Sequence, residues 1–349
     1  MILTSVDALS FRRSQAQESA TAVSTRPRSH AKINDYNERY ESARSDKFTG
    51  GRIEKTTLEP GQPDIEITVN VPAFQLTLWQ NGKEVKTYAI GVGQKDYPIY
   101  IGEREATEII WNPNWIPPDS EWVAERKGVT PGEIIKASDP RNPLGKLKIP
   151  LGDGYLIHQA AKPSDLGHLV SHGCIRMLEK DLYDLAEKIV AADALPVSKK
   201  EIELAKRTTK TVVANLNAPL PVDIGYDTQV VEGGVLHLYP DIYGRGTSTI
   251  ETLRAELESN GVNTSGLDDE MLRKMLARVS KTEEFVVDLA SIELGRALTD
   301  GWTQSLTGKQ IKKSPKVKSP GASRPRMVHK GNNLTLAVKA DGHNQLSSY

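Results

Sequence analysis

Between Ile65 and Val92 the chain alternates apolar and polar residues, and an Asn-Gly dipeptide interrupts the pattern. Ile65-Glu66-Ile67-Thr68-Val69 alternates first, Phe74 to Trp79 alternates again, and the pattern resumes from Val85 to Val92 after Asn81-Gly82. A period of two sends successive side chains to opposite faces, which is the mark of a half-buried strand. Asn-Gly supplies the two left-handed residues of a tight hairpin turn. The chain must therefore build an antiparallel sheet with one face on a core. Further short strands are expected at Ala106 to Trp111, Lys146 to Ile149 and Tyr155 to His158. The proline-rich stretch from Asn112 to Ser120 suits neither a regular helix nor a central strand, so it reads as a loop carrying Trp111, Trp115 and Trp122.

After Cys174 the period changes. Glu179 to Ala192 places Leu182, Leu185, Ala186 and Ile189 on one helical face. Pro221 to Val231 and Val235 to Tyr239, separated by Glu232-Gly233-Gly234, read as a second hairpin docked on the first sheet. Thr249 to Asn260, Asp268 to Arg278 and the apolar stretch Thr282 to Ala297 read as helices. The expected organisation is an N-terminal extension (1–62), a β-rich domain (63–198), a β-hairpin appendage (199–245), a helical C-terminal region (246–308) and a basic tail (309–349). Both ends lack apolar periodicity and are expected to be disordered.

Lys plus Arg and Asp plus Glu each number 45, so the net charge is zero and nothing global points to nucleic acid or an anionic membrane. No stretch approaches the ~18 apolar residues of a membrane-spanning helix. Near the N-terminus, Arg12-Arg13 follow the apolar residues, the reverse of a secretory signal, and no export signal is expected.

The single cysteine, Cys174, cannot belong to an internal disulfide. It is a buried small hydrophobe or a nucleophile, and a thiol becomes a good nucleophile when an imidazole takes its proton. His158, His168 and His172 are candidate bases. A second cysteine and the carboxylates of a zinc site are not nearby, so no metal is expected. Acyl transfer further needs backbone N–H groups around the nucleophile to hold an oxyanion. Gly173, directly before Cys174, permits a tight turn and close approach of substrate. His158 closes a strand, and the segment Gln159 to Val170 is long enough to return Cys174 beside it.

His158, followed sixteen positions later by Cys174 within Ser171-His172-Gly173-Cys174-Ile175-Arg176-Met177, resembles the signature of the L,D-transpeptidase catalytic domain (YkuD-type). Pro72 to Trp79, Tyr88 to Gly93, Trp111-Asn112-Pro113 with Trp115 to Pro118, and Asn142 to Gly145 also resemble this family. The resemblance covers residues 64 to 198, and the Val222 to Pro240 hairpin resembles the C-terminal appendage of enterobacterial-type members. It implies a mostly β fold with α, a YkuD-type β-sandwich with a helix after the nucleophile. It further implies that Cys174 is the nucleophile and His158 the proton donor and acceptor. His172 and Gly173 would shape the nucleophile's surroundings, Ser171 would assist by hydrogen bonding, and the Cys174 N–H would serve the oxyanion. Arg176 either anchors a substrate carboxylate, which its fork matches bidentately, or pairs with a carboxylate such as Glu179. His168 reads as a solvated or rim residue, and His172 is as well explained by a structural hydrogen bond. The three tryptophans are core residues or line a groove for sugar and peptide. One departure stands out: Gln159 follows the histidine where relatives carry Gly.

The implied reaction releases D-Ala from a peptidoglycan tetrapeptide stem, leaves a thioester on Cys174 and passes the acyl group to the amine of another stem, a 3→3 cross-link. No cofactor is implied, and carbapenems are expected to acylate the same thiol. The implied partners are peptidoglycan stem peptides, with a wall-attached protein lysine as another acceptor. A periplasmic or cell-wall location follows from that substrate. The alternatives are an L,D-carboxypeptidase or endopeptidase-type hydrolase in which water is the acceptor, and a non-catalytic wall-binding protein. Nucleic-acid binding would rest on the basic tail alone.

Overall fold

The structure is a computed structural model that describes residues 65–193 and 195–306. The expected extension (1–62) and basic tail (309–349) lie outside the described residues. In chain order the strands are β1 (Ile65–Asn70), β2 (Gln75–Gln80), β3 (Lys83–Ala89), β4 (Val92–Gly93), β5 (Gly102–Trp111), β6 (Leu147–Pro150) and β7 (Leu156–Gln159). They continue as β8 (Leu169–Ser171), β9 (Ile175–Met177), β10 (Val212–Gly225), β11 (Gln229–Glu232), β12 (Val235–Leu238), β13 (Glu283–Asp288) and β14 (Trp302–Ser305). The chain is mostly β with helices, as its alternation predicts.

Eight strands form one sheet in the order β3-β2-β1-β10-β5-β6-β7-β9. The expected hairpin is β2–β3, with Asn81 at φ 52° and Gly82 at φ 70°, the paired left-handed residues that a two-residue turn requires. Beyond β3 the chain reaches Gly91, which pairs with Arg176 of β9, the strand at the opposite end of the sheet. Gly91 N–H donates to Arg176 O at 2.9 Å and Arg176 N–H donates back at 2.8 Å. The sheet therefore curls until its ends meet, and its inward residues, among them Leu76, Ile109, Ile149, Ile157 and Ile175, form one core. Helix Glu179–Ala192 buries the stripe Leu182, Leu185, Ala186, Ile189 and Val190 against that core. Asp184 on this helix accepts from Tyr88 Oη and Lys86 Nζ, both at 2.8 Å, which ties it to β3.

Asn112 terminates β5 at φ 49° and is 1% exposed. Its Nδ2 donates to Ala205 O (2.7 Å) and Lys210 O (3.0 Å), so it fastens helix Lys199–Arg207 to the sheet. Asn tolerates the left-handed backbone better than most residues, and a buried amide with satisfied donors holds its neighbours at fixed distance.

Two readings of the C-terminal half are corrected. The hairpin read from Pro221 does not dock as a unit on the first sheet. Its first part lies in β10, a central strand that starts at Val212 and runs between β1 and β5. Pro219 falls in a register shift between Asn215 and Leu220, which is how a central strand accommodates it, and this disguises the strand in the sequence. The true hairpin, β11–β12, joins β13 and β14 in a separate four-stranded sheet. The second correction is Thr282 to Ala297, which is not one helix. It is β13 followed by two short helices, Leu289–Glu293 and Ala297–Asp300. Glu284, Phe285, Val286 and Val287 are all buried, so both faces of β13 are covered and its apolar run shows no alternation to distinguish it from a helix. Helices Ile250–Ser259 and Asp269–Leu276 form as expected and pack on this small sheet, giving a second core around Leu253, Leu272, Phe285 and Val287.

Candidate active site

The site is built where the curled sheet closes. β7 and β9 run parallel, with Ile157 opposite Ile175 and His158 opposite Arg176. Ile157 and Ile175 face the core at 0% exposure, so the pleat turns His158 and Arg176 to the other face. Continuing that register one step sets Cys174 opposite Leu156, on the face of His158 and one diagonal away. His158 lies in β7 and Cys174 directly precedes β9, so the two residues that the sequence spacing singles out belong to neighbouring strand segments.

The turn carrying Cys174 is held from behind. Ser171 is fully buried and its Oγ donates to Cys174 O at 2.6 Å. Gly173 has φ +109°, and a Cβ there would sit 3.1 Å from the Tyr155 ring. Only glycine meets both demands. Cys174 is half-buried, and its Sγ lies 3.9 Å from Gly154 O. Burial raises its pKa above the ordinary thiol value; a backbone bond from Leu156 and the Arg176 charge oppose that shift.

His158 is 2% exposed. Burial, and next the Arg176 guanidinium, hold its pKa well below the ordinary imidazole value; a backbone bond at Leu144 works the other way. At neutral pH the ring is therefore an uncharged acceptor. Arg176 Nη1 lies 3.4 Å from His158 Nδ1, 3.3 Å from Gln159 O and 3.5 Å from Pro143 O. The guanidinium therefore sits behind the imidazole and is bound to the loop that precedes β6. No ion pair with Glu179 forms; that carboxylate accepts from Gln159 Nε2 at 2.9 Å. Gln159 Oε1 accepts from Lys146 N–H at 2.8 Å. Gly145, at φ +71°, leaves the room that the Gln159 side chain fills, which explains how a large residue fits after the histidine.

His172 is exposed but not loose. It stacks on Trp122 at 4.5 Å and 10° and meets Tyr97 edge-on at 4.8 Å. Trp122 in turn stacks on Trp115 at 6.2 Å. Trp115, Val123, Ile135 and Leu144 form a small core inside the proline-rich loop. Of the three tryptophans, Trp111 and Trp115 are core, and Trp122 packs on that loop core and stacks on His172. Sequence periodicity carries no trace of this stack, because its rings come from segments far apart in the chain. His168 is half-buried, with Nδ1 3.0 Å from Leu166 O. Its backbone O accepts from Val92 N–H at 3.1 Å, beside the β4–β8 pairing.

Residues 64–213 match the family model YkuD, the L,D-transpeptidase catalytic domain. The chain is 29% identical over 126 residues to YbiS of Escherichia coli (strain K12), described as a probable L,D-transpeptidase; the match covers 35% of this chain and 41% of that protein. It is 25% identical over 187 residues to YcfS of the same strain, with the same description, across 50% of this chain and 57% of that one. The chain thus spans about half the length of these curated relatives. A solved L,D-transpeptidase from Mycobacterium smegmatis is similar at 12% identity and a TM-score of 0.29, over 47% of this chain and 59% of that one. Among the described residues no helix is long and apolar enough to cross a membrane.

Proposed function

Because this chain carries a YkuD-family L,D-transpeptidase catalytic domain over residues 64–213, we propose that it is a cysteine-dependent L,D-transpeptidase acting on peptidoglycan stem peptides outside the cytoplasmic membrane, in the periplasm or at the cell wall. The observation that supports this most directly is the β7–β9 register, which pairs His158 with Arg176, two residues after Cys174.

The neutral imidazole of His158 takes the Cys174 proton as Sγ attacks the carbonyl carbon of the third stem residue. Arg176 stands behind the imidazole and disfavours its charged form, so the ring is ready to accept at neutral pH, while the same charge stabilises the thiolate. The backbone N–H of Cys174, held by the Ser171 bond and the Gly173 turn, serves the oxyanion. The carbon–nitrogen bond to D-Ala breaks, and His158 returns its proton to the departing amine. A thioester remains on Cys174. The side-chain amine of a second stem attacks it and gives a proton to His158, and the sulfur leaves to be reprotonated. The product is a 3→3 cross-link.

The test is product analysis after incubation with a purified disaccharide-tetrapeptide. A cross-linked dimer and free D-Ala support the transpeptidase. Tripeptide and D-Ala without dimer make the protein a hydrolase, and intact tetrapeptide removes both readings.

A further inference from the structure

Arg104 projects from the middle of the sheet, where β5 pairs with β10 (Arg104 opposite Val222). Its side chain is only 8% exposed. The guanidinium carbon lies 4.1 Å from the centre of the Tyr100 ring and 4.9 Å from that of Tyr155. Nη1 donates to Asp153 Oδ2 at 2.6 Å. Nε is buried with no hydrogen-bond partner.

That arrangement is an expensive way to hold a fold. A buried guanidinium with one donor orphaned loses hydration that stacking and a half-exposed carboxylate only partly return. An apolar side chain would fill the same space without the penalty. Local rules are broken in this way where geometry matters more than stability.

The geometry in question is the β6–β7 turn. Gly152, Asp153 and Gly154 have φ values of +80°, +48° and +81°, three successive residues in the left-handed region. Asp153 is the one residue of the three with a side chain to restrain, and Arg104 holds it. The next residue, Tyr155, is the ring stacked on Arg104 and pressed on Gly173. Both contacts lead to the thiol: Asp153 precedes Gly154, whose carbonyl lies 3.9 Å from Sγ, and Tyr155 precedes Leu156, whose backbone also bonds Sγ.

We propose that Arg104 is a positioning residue for Cys174: by gripping Asp153 and Tyr155 it fixes the 152–156 segment, so that the Gly154 carbonyl meets the protonated sulfur and the Leu156 N–H meets the ionised one. The inference rests on Cys174 being the nucleophile. It adds that the sulfur's setting is controlled from β5, about fifty residues before the turn and seventy before the cysteine in the chain.

The test compares wild type with Arg104→Met and Asp153→Asn. Three readouts are needed: the pH profile of Cys174 alkylation by iodoacetamide under native conditions, followed by intact mass; kcat and KM with a disaccharide-tetrapeptide; and the thermal midpoint. Arg104→Met is expected to move the alkylation midpoint upward, because the thiolate loses its Leu156 donor, and to lower kcat by about 10–100-fold with KM within about twofold, the signature of a misplaced reacting group. Asp153→Asn changes a half-exposed side chain, leaves folding intact and moves both quantities the same way by less, so it carries the test if Arg104→Met does not fold. An unchanged alkylation midpoint and kcat in a folded variant overturn the inference. A wild-type protein that resists alkylation until denatured overturns the nucleophile reading and this inference with it. Normal wild-type alkylation with unchanged variants overturns this inference alone.

Discussion

The seam of the curled sheet and the Glu284 cluster of the small C-terminal sheet treat their buried polar groups differently. In the small sheet Glu284 is 3% exposed and fully used: His237 Nδ1 lies 2.8 Å from one oxygen and Gln304 Nε2 2.7 Å from the other. The network closes on itself and holds three strands together. At the seam of the large sheet the pattern is the opposite. His158 is buried beside a cation that disfavours its charged form, Cys174 is a half-buried thiol with a raised pKa, and Arg176 Nε has no partner. Polar groups that are fully paired stabilise a fold; groups left with unmet demands are available for chemistry. Both clusters obey the same packing rules, and they differ in how fully their polar groups are paired.

Replacing the thiol should break this contrast most severely. Cys174→Ala should reduce transpeptidation by at least about 10³-fold while leaving the fold intact, checked by turnover and by circular dichroism. His158→Gln should cost about 10²–10⁴-fold in kcat. It should also alter the response to acid. The His158 pKa is lowered in the folded state, so the unfolded chain binds the extra proton first. Stability from this group is complete above the unfolded imidazole pKa of ~6.5 and falls as the pH drops below it. Wild type should lose stability between about pH 6.5 and 5 more steeply than His158→Gln in denaturant titrations.

Phe285→Ala sharpens the comparison from the other side. It opens a hole in the second core and should destabilise it by about 3–5 kcal/mol. Hydrogen exchange should rise in β12, β13 and the helices packed on them, with the Cys174 alkylation rate unchanged. The smallest effect is expected at Tyr243. Its hydroxyl donates to Gly93 O at 2.9 Å and accepts from Ile99 N–H at 3.3 Å, beneath the strand that abuts Gly173. Tyr243→Phe should cost about 1 kcal/mol and slow alkylation by less than about threefold, read by thermal melting and intact mass.

Alternation and helical period made β1 to β3 and helix Glu179–Ala192 legible in the sequence, because each is a local pattern with one buried face. His158 and Cys174 stood out as a candidate pair through their spacing and the Gly173 turn. What stayed hidden depends on contacts between distant segments. Nothing near Arg104 announces that it stacks on Tyr155, and nothing near Trp122 announces that it stacks on His172. Arg176 offered its fork to a substrate carboxylate or to Glu179, and only the folded register shows it turned toward His158 Nδ1. β10 was obscured by Pro219 and Pro221, and β13 by its burial on both faces.

The central claim is that Cys174 forms an acyl-enzyme. Intact-mass measurement of wild type and Cys174→Ala, after incubation with a carbapenem and separately with a disaccharide-tetrapeptide, tests it most directly. A single covalent adduct in the wild type that is absent from the folded Cys174→Ala variant is the predicted result. An unmodified wild-type protein, or an adduct that persists in the variant, would contradict it.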